Sequence, residues 1–320
     1  MARLALGGGP GVVAGVGDDA AVLRTGGGRD LLVTADMLVE QVHFDLSFSA
    51  FRDLGYKALA VNLSDLAAMG GRPENYLVSL ALPPHFNMED MEDLYRGMDE
   101  AGRPYKACLV GGDTVASPGP LVISVTLLGG AARGKAVLRS GAAPGDGLYV
   151  TGTLGDSAAG LEILKAGRRF ESGDTGAEYL VRRHLRPEAR VKAGRLLGGK
   201  GLASAMIDIS DGIASDVRHI TEQSGCGAEI NLDALPLSDE LLSFAGRKNA
   251  VKYALGGGED YELLFAARPG ADDALRTAGK AAGIAITRVG AITGGEGVFA
   301  AGSKGLRKPL RGRGYEHFRR

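Results

Sequence analysis

The chain has 320 residues, of which 45% are hydrophobic and 23% charged, values typical of a globular protein rather than a disordered one. The formal net charge is −1, so composition gives no electrostatic reason to expect nucleic acid or an anionic membrane as a partner. Glycine is the outlier, with 51 residues, about twice the usual share. Because no collagen-like period is present, these glycines indicate turns and close approaches of the backbone to ligands.

Signals for export and for disulfide bonding are missing from the sequence. Cys108 and Cys226 are far apart and show no zinc-ligand spacing, so reduced thiols are expected. The first residues lack a signal-peptide pattern, and no run of about 18 apolar residues occurs. These features predict a soluble, cytoplasmic protein without a membrane span.

Apolar strands and amphipathic helices alternate along the chain, which favours an α/β or α+β fold. The first half predicts strands at 31–39, 76–82, 108–114 and 121–129, with helices at 51–69 and 88–102. The second half predicts strands at 148–152, 205–209, 228–232, 261–268, 284–292 and 297–301, and helices at 156–166, 175–198, 212–224, 239–255 and 272–282. The turn-rich stretch 139–147 separates the halves, so we predict domains at 1–138 and 139–320.

Aspartates recur at the ends of apolar strands and in glycine-rich turns. Taken singly, each is more simply explained as a turn residue or a helix N-cap than as a ligand. Ser210 and Asp211 could cap the helix that follows them, which would explain why an aspartate stands at position 211. Capping does not explain Asp208, which ends the preceding strand. The group consists of Asp18 and Asp19 in GDDA, Asp36 in TAD, Asp113 in GGDT, and Asp208 and Asp211 in DISDG.

Asp65 differs because it lies inside a predicted helix that is otherwise rich in Ala, Leu, Val and Met. A partly buried carboxylate must be paired with a cation or bind a metal. Lys57 or Arg72 could supply the cation, so both explanations remain open. Together, the aspartates suggest several Mg²⁺ sites, because Mg²⁺ takes oxygen ligands and bridges carboxylates to substrate phosphates.

The familiar phosphate-binding motifs of nucleotide enzymes are missing from the sequence. GGKGLAS at 198–204 resembles a P-loop only superficially, and no kinase-like HRD or DFG set occurs. Glycine-rich turns such as GGD could offer backbone amides to phosphate oxygens instead. A nucleotide-using enzyme with this sequence would therefore depend on metal ions more than most.

Read in order, seven segments resemble the successive motifs of the thiamine-monophosphate kinase family, and the match continues to GYEHF near the C-terminus. The segments are GVGDDAAVL, VTADMLVEQVHF, YKALAVNLSDLAAMGGRP, VGGDTVASP, VLRSGAAPGDGLYVTGTLGDSAAGL, AMIDISDGIASDVRHI and GGEDYELLF. The resemblance implies the two-domain fold of the superfamily that includes aminoimidazole ribonucleotide synthetase, with an N-terminal domain that forms a β-barrel across a homodimer. It also implies Mg²⁺-dependent, direct phosphoryl transfer from ATP to thiamine monophosphate, giving thiamine diphosphate and ADP.

The same resemblance, carried over by position, implies three groups of site residues. The implied metal ligands are Asp18, Thr34, Ala35 (through its backbone carbonyl), Asp36, Asp65, Asp113, Asp208 and Asp211, of which Asp65, Asp113 and Asp211 are predicted to be catalytic. The implied ATP contacts are Tyr95, Gly112, Asp113, Arg139 and Ser210. The implied substrate contacts are His43, Glu259 and either Tyr315 or Phe318. Asp18 is preferred to Asp19 because neighbouring side chains on a strand face opposite sides.

Simpler explanations exist for several of these residues, and rival functions exist for the chain. Taken alone, His43 would be a strand-face histidine, Arg139 a solvated turn residue, and Glu259 a residue flanking a strand. Neither cysteine is placed as a selenophosphate synthetase requires. The alternatives retained are another ATP-dependent enzyme of the superfamily and a non-catalytic nucleotide-binding maturation protein.

Overall fold

Two β-sheets organise the chain, which a computed structural model describes over residues 9–167, 174–302 and 307–310. The first sheet contains β1 (Val12–Ala14), β2 (Ala21–Arg24), β3 (Arg29–Val39), β4 (Arg72–Leu82), β5 (Cys108–Ala116) and β6 (Val122–Ala132). Their order across the sheet is β1-β2-β3-β6-β4-β5. Only β4 and β5 pair in parallel among these strands.

One face of the first sheet is covered by two helices, α1 (Phe51–Ala68) and α2 (Met88–Gly102). The helix backbones touch, because a Cβ built on Gly55 would lie 1.8 Å from the carbonyl oxygen of Leu94. Glycine is therefore required at this crossing. Helix α1 is buried on nearly all sides, since it also packs against the second half of the chain. That position places its few polar side chains inside the protein.

The second sheet contains β7 (Gly147–Thr151), β8 (Ala205–Asp208), β9 (Gly227–Asn231), β10 (Leu263–Ala267), β11 (Ile286–Thr293), β12 (Gly297–Ala301) and β13 (Lys308–Pro309). Their order is β13-β12-β9-β11-β7-β10-β8. The helices of this half are α3 (Asp156–Lys165), α4 (Thr175–Leu185), α5 (Val191–Gly199), α6 (Ile213–Ser224), α7 (Asp239–Gly256) and α8 (Asp272–Ala282). Short 3-10 helices occupy Arg103–Tyr105 and Leu232–Ala234.

The predicted two-part α/β architecture is confirmed, and one predicted helix is wrong. The single helix expected over 175–198 is two helices, α4 and α5. Pro187 lies between them; it lacks a backbone N–H and disfavours helical geometry in the residue before it. The short strands β1, β2 and β13 were not predicted. No helix in the described part of the chain is long and apolar enough to cross a membrane.

The other face of the first sheet and its β5 edge are open to solvent. All nine residues of β5 are exposed. Large apolar side chains are among the exposed residues of this sheet: Met37, Leu77, Leu109, Val110 and Val115. An exposed apolar sheet edge is a surface on which another chain can pair.

Candidate active site

A cavity of about 800 Å³ lies where the two halves of the chain meet, and we call it the central cavity. The first half contributes residues before β2, on β3, in the turn after β3 and on α1. The second half contributes the end of β8, parts of α3 and α4, and the loop before β10. The predicted site residues that line the cavity are Asp18, Thr34, Ala35, Asp36, His43, Asp65, Arg139, Asp208, Ser210, Asp211 and Glu259. Segments far apart in sequence thus meet at one site.

Three carboxylates form an acidic cluster in this cavity. Asp19, Asp65 and Asp208 each offer an oxygen, and the three oxygens lie within 4.8 Å of one another. Asp65 projects from α1 and accepts a hydrogen bond from the hydroxyl of Thr34 on β3. Asp208 ends β8 and accepts a hydrogen bond of 2.6 Å from Ser64 Oγ. Both halves of the chain therefore hold the cluster in place.

The electrostatics of the acidic cluster favour a bound cation. Burial, and repulsion from Asp36 and Asp208, raise the pKa of Asp65 well above its ordinary value. Burial raises the pKa of Asp208 to about 6. Burial and the nearby Asp208 raise the pKa of Asp19 to about 8. Asp19 Oδ2 is buried and has no hydrogen-bond partner within the described residues, so the site has an oxygen free to bind a metal ion.

The two adjacent aspartates, Asp18 and Asp19, both line the central cavity. The expectation that they face opposite sides of a strand is wrong, because β2 begins only at Ala21 and the pair lies before it. Asp18 Oδ1 accepts the backbone N–H of Arg139 at 3.0 Å, and Asp19 Oδ1 accepts Arg139 Nε at 3.1 Å. The acidic cluster includes Asp19. The assignment of Asp18 as the ligand stays a prediction.

The ion pairs proposed for Asp65 from the sequence are wrong. Lys57 Nζ lies 3.0 Å from Glu259 Oε1 instead, and Arg72 is exposed at the start of β4. Within the described ranges, no lysine, arginine or histidine forms an ion pair with Asp65. Pairing with a cation on the chain is thereby excluded for these two residues, and metal binding by Asp65 stays a prediction.

The DISDG turn is also built differently from the expectation. Helix α6 has Gly212 at its N-cap, with φ +100° and no side-chain cap, so capping by Ser210 or Asp211 is wrong. The backbone N–H of Asp211 donates instead to Asp216 Oδ2 at 3.2 Å. Burial, with repulsion from Asp211 and Asp208, raises the pKa of Asp216 well above its ordinary value. Sequence reasoning missed Asp216, although it is an acidic residue in the first turn of a helix that follows two other aspartates.

A second polar group lies around Glu259, in the loop before β10. Lys57 and His184 both contact its carboxylate, at 3.0 and 3.2 Å. Burial acts to raise the pKa of Glu259, but the nearby Lys57 ammonium outweighs it and lowers that pKa below its ordinary value. Burial and the nearby Lys57 lower the pKa of His184 to about 3, so this ring is neutral at pH 7. The carboxylate is therefore ionised and firmly held.

His43 lies in the turn after β3, not on a strand face. Its Nδ1 accepts the backbone N–H of Val39 at 3.0 Å, which fixes the ring against the end of β3. The surrounding wall of the central cavity includes Val42, Phe44 and Phe48. This part of the cavity combines apolar surface with a few polar groups, as sites for organic ligands do.

Asp113 and Gly112 lie outside the central cavity. They belong to β5, the third strand from β3, so about 14 Å separates them from β3 at the usual strand spacing. The backbone pairing between adjacent strands places four residues in one row across the sheet: Asp113 on β5, Ser79 on β4, Ser124 on β6 and Met37 on β3. That row is on the solvent-exposed face of the sheet, where Met37 is 56% exposed.

The remaining predicted contacts divide into two groups. Tyr95, on α2, packs against the core of the first half, away from the cavity. Tyr315 and Phe318 lie outside the described residues, so their proposed contact with the substrate stays a prediction.

Family comparisons agree with this two-part architecture. The model for "AIR synthase related protein, N-terminal domain" matches residues 17–131, and the model for the C-terminal domain of the same family matches residues 143–302. The chain belongs to this family of AIR synthase related proteins. The thiamine-monophosphate kinase of Bacillus subtilis (strain 168) is 41% identical over 278 residues, which are 87% of this chain and 85% of that protein. Within the family, the chain belongs to the thiamine-monophosphate kinases.

Solved structures show the same relationship. Thiamine-monophosphate kinase from Stenotrophomonas maltophilia K279a is 40% identical, with a TM-score of 0.81 and 91% of each chain covered. A structure described as "AaThiL complexed with AMPPCP and TMP" is 38% identical, with a TM-score of 0.83 and coverage of 95% of this chain and 92% of that one. The two-domain fold implied by the sequence motifs is thereby confirmed.

Proposed function

We propose that the protein transfers the γ-phosphoryl group of ATP directly to the phosphate of thiamine monophosphate, giving thiamine diphosphate and ADP. One observation carries this proposal: the acidic cluster of Asp19, Asp65 and Asp208 shares a cavity with a separate polar and apolar region around Glu259. The first can hold cations beside phosphates, and the second can hold an organic ring. Because ATP is a cytoplasmic metabolite, we expect the reaction there.

Charge neutralisation is the main requirement of this reaction. ATP and thiamine monophosphate are both anionic at their reacting ends, so bringing them together costs Coulomb repulsion. Several Mg²⁺ ions, when bound, would offset that repulsion and polarise the γ-phosphoryl group. Asp36, Asp65 and Asp208 would hold them, with Asp18 or Asp19, Asp211, the Thr34 hydroxyl and the Ala35 carbonyl as further oxygen ligands. The chain's own contribution is the fixed placement of these oxygens.

Binding of the two substrates is assigned to different parts of the central cavity. Ser210 and Arg139 lie on the DISDG side, where we place ATP. The guanidinium of Arg139 donates hydrogen bonds to the carboxylate of Asp19 and, at 3.2 Å, to the carbonyl of Gly17. A contact between Arg139 and a phosphate would compete with these bonds. His43 and Glu259 are assigned to the thiamine end, with Tyr315 or Phe318 as the wall beside its rings.

A homodimer would account for the positions of Asp113 and Gly112. Both lie on the exposed β5 edge, among exposed apolar side chains, and neither reaches the central cavity of its own chain. We infer that a second copy covers this face, forms the intersubunit barrel with it, and receives Asp113 at its own cavity. The dimer-forming unit would be the proposed domain 1–138, with 139–320 as the second domain.

The test is a coupled ADP assay with ATP, Mg²⁺ and thiamine monophosphate, in which the product is identified by chromatography. We expect ADP release that depends on thiamine monophosphate and is lost in Asp36→Asn. ATP turnover that does not require thiamine monophosphate, or no turnover by pure folded protein, would refute the proposal.

A further inference from the structure

Lys57 is a buried cation on a helix whose neighbouring residues are mostly apolar. Its side chain is 4% exposed, and its Nζ lies 3.0 Å from Glu259 Oε1. Glu259 lines the central cavity, whereas Lys57 does not. Lys57 can therefore act on the cavity through Glu259.

His184, on α4, supports the other oxygen of the same carboxylate. Its Nδ1 lies 3.2 Å from Glu259 Oε2, and its Nε2 lies 3.5 Å from Lys57 Nζ. An ammonium group can only donate, so Nε2 accepts and the ring proton is on Nδ1. Two oxygens are within reach of that proton, Ser157 Oγ at 3.1 Å and Glu259 Oε2 at 3.2 Å. Each carboxylate oxygen thus has a nitrogen within 3.2 Å, one from the first half of the chain and one from the second.

The backbone of Glu259 is held in an unusual conformation as well. Its φ is +66°, in the left-handed region that non-glycine residues seldom adopt. The N–H of Glu259 donates to the carbonyl of Ser210 at 2.8 Å, and the N–H of Tyr261 donates to the carbonyl of Ile209 at 2.9 Å. Strained residues that are fixed by their surroundings are concentrated at ligand sites. Backbone hydrogen bonds and side-chain contacts therefore both hold Glu259 in position.

We propose that Lys57 and His184 are positioning residues that orient the Glu259 carboxylate to accept a hydrogen bond from the exocyclic amino group of the thiamine substrate. This inference rests on the proposed function. The Lys57 ammonium already balances the charge of Glu259, and His184 is neutral. Glu259 is therefore a directed hydrogen-bond acceptor rather than the counter-ion of the cationic thiazolium ring. Selectivity for the amino group follows, because a carboxylate cannot accept a hydrogen bond from a carbonyl oxygen in its place.

The first experiment measures the dissociation constant of thiamine monophosphate by calorimetry, together with KM for both substrates. Lys57→Met should weaken thiamine monophosphate binding by about tenfold or more, the effect of one lost hydrogen bond to a charged group. KM for ATP should stay unchanged. His184→Ala should also weaken substrate binding, and His184→Asn, which keeps an N–H donor near the Nδ1 position, should restore much of it. Unchanged binding in folded Lys57→Met and His184→Ala would overturn the inference.

Arg186→Met is the matched control. Arg186 directly follows the helix that carries His184 and pairs with Asp53 at 3.0 Å across the two halves, but it does not line the central cavity. Its loss should lower thermal stability without changing the binding of thiamine monophosphate. An equal loss of binding in Arg186→Met would show that Lys57 and His184 matter only for overall structure.

A substrate analogue tests the amino-group assignment separately. Oxythiamine monophosphate carries an oxygen in place of the exocyclic amino group. Wild-type protein should bind this analogue at least about tenfold more weakly than thiamine monophosphate. The Lys57→Met variant should show a smaller difference in affinity between the two compounds. Equal binding of both compounds by the wild type would overturn the assignment. Failure of the proposed function would look different, because the wild type would then form no thiamine diphosphate at all.

Discussion

Ser64 Oγ lies 2.6 Å from Asp208 Oδ2, and this hydrogen bond joins the middle of α1 to the end of β8 across the two halves of the chain. Ser64 is fully buried and does not line the central cavity. It therefore orients a predicted metal ligand without contacting a metal itself. Such supporting residues set the geometry of metal sites.

Ser64→Ala should weaken activation by Mg²⁺. Loss of the hydroxyl removes a donor that stabilises the ionised, correctly oriented Asp208, and the half-saturating Mg²⁺ concentration should rise about tenfold or more. The measurement is an Mg²⁺ titration of ADP formation. Ser238→Ala is the control, because Ser238 Oγ makes a similar buried bond of 2.5 Å to Asp156, away from the cavity. An unchanged Mg²⁺ requirement in Ser64→Ala would contradict the role given to this bond.

Asp65→Asn should abolish activity yet raise the stability of the metal-free protein. Burial and the nearby aspartates raise the pKa of Asp65, so its ionised form opposes folding at neutral pH. Each unit of pKa shift relieved is worth about 1.4 kcal/mol. Thermal unfolding in EDTA and in Mg²⁺ checks this: Mg²⁺ should stabilise the wild type more than the variant. Asp156→Asn, which loses a carboxylate bound by buried hydroxyl groups, should instead destabilise. A less stable Asp65→Asn would mean that Asp65 is structural.

Inactive Asp113→Asn and Asp65→Asn chains should complement each other in mixed dimers. If Asp113 acts in the partner's cavity, each mixed dimer keeps one intact site, built from the wild-type Asp65 of one chain and the wild-type Asp113 of the other. Random pairing then restores about a quarter of wild-type activity. Co-refolding the two variants and measuring ADP release gives the answer. A mixture that stays inactive would contradict the dimeric site.

His184 should make the free energy of unfolding depend on pH between about 3 and 6.5. Burial and Lys57 lower its pKa in the folded state to about 3, whereas the unfolded chain has the ordinary value of 6.5. The unfolded state therefore binds more protons below pH 6.5, and stability falls as pH falls, by about 1.4 kcal/mol per pH unit. Urea unfolding at pH 7.5, 6.5 and 5.5, chosen to bracket the ordinary histidine value of about 6.5, should show this loss in the wild type. The His184→Asn variant should lose less stability over the same range. Parallel profiles would contradict this prediction, because they would mean that His184 titrates in the folded protein as it does in the unfolded chain.

Much of the fold could be predicted because its strands and helices have clear local patterns. The long apolar strand β3 and the helix α2 with its Asn87 cap are examples. The short strands β1 and β13 were missed because they contain only three and two residues, too few to show an alternating apolar pattern. The break between α4 and α5 could have been read from Pro187.

The candidate site was predictable where an acidic residue interrupts an apolar segment, as Asp65 and Asp208 do. The ion pairs and hydrogen bonds of the site were not predictable, because they join segments that are distant in the sequence. Lys57 is close to Asp65 in sequence and was offered as its partner, but the fold brings it to Glu259 instead. Asp18 and Asp19 both line the cavity because the alternation rule holds only within a strand, and which of them binds a metal stays a prediction. Asp113 lies outside the cavity of its own chain because it is on β5, and its role as a ligand stays a prediction.

The most direct test of the account is the stoichiometry of the reaction. Purified protein with Mg²⁺, ATP and thiamine monophosphate should release one ADP for each thiamine diphosphate formed, both quantified by chromatography in the same quenched samples. Formation of ADP without thiamine diphosphate, or of neither product, would contradict it.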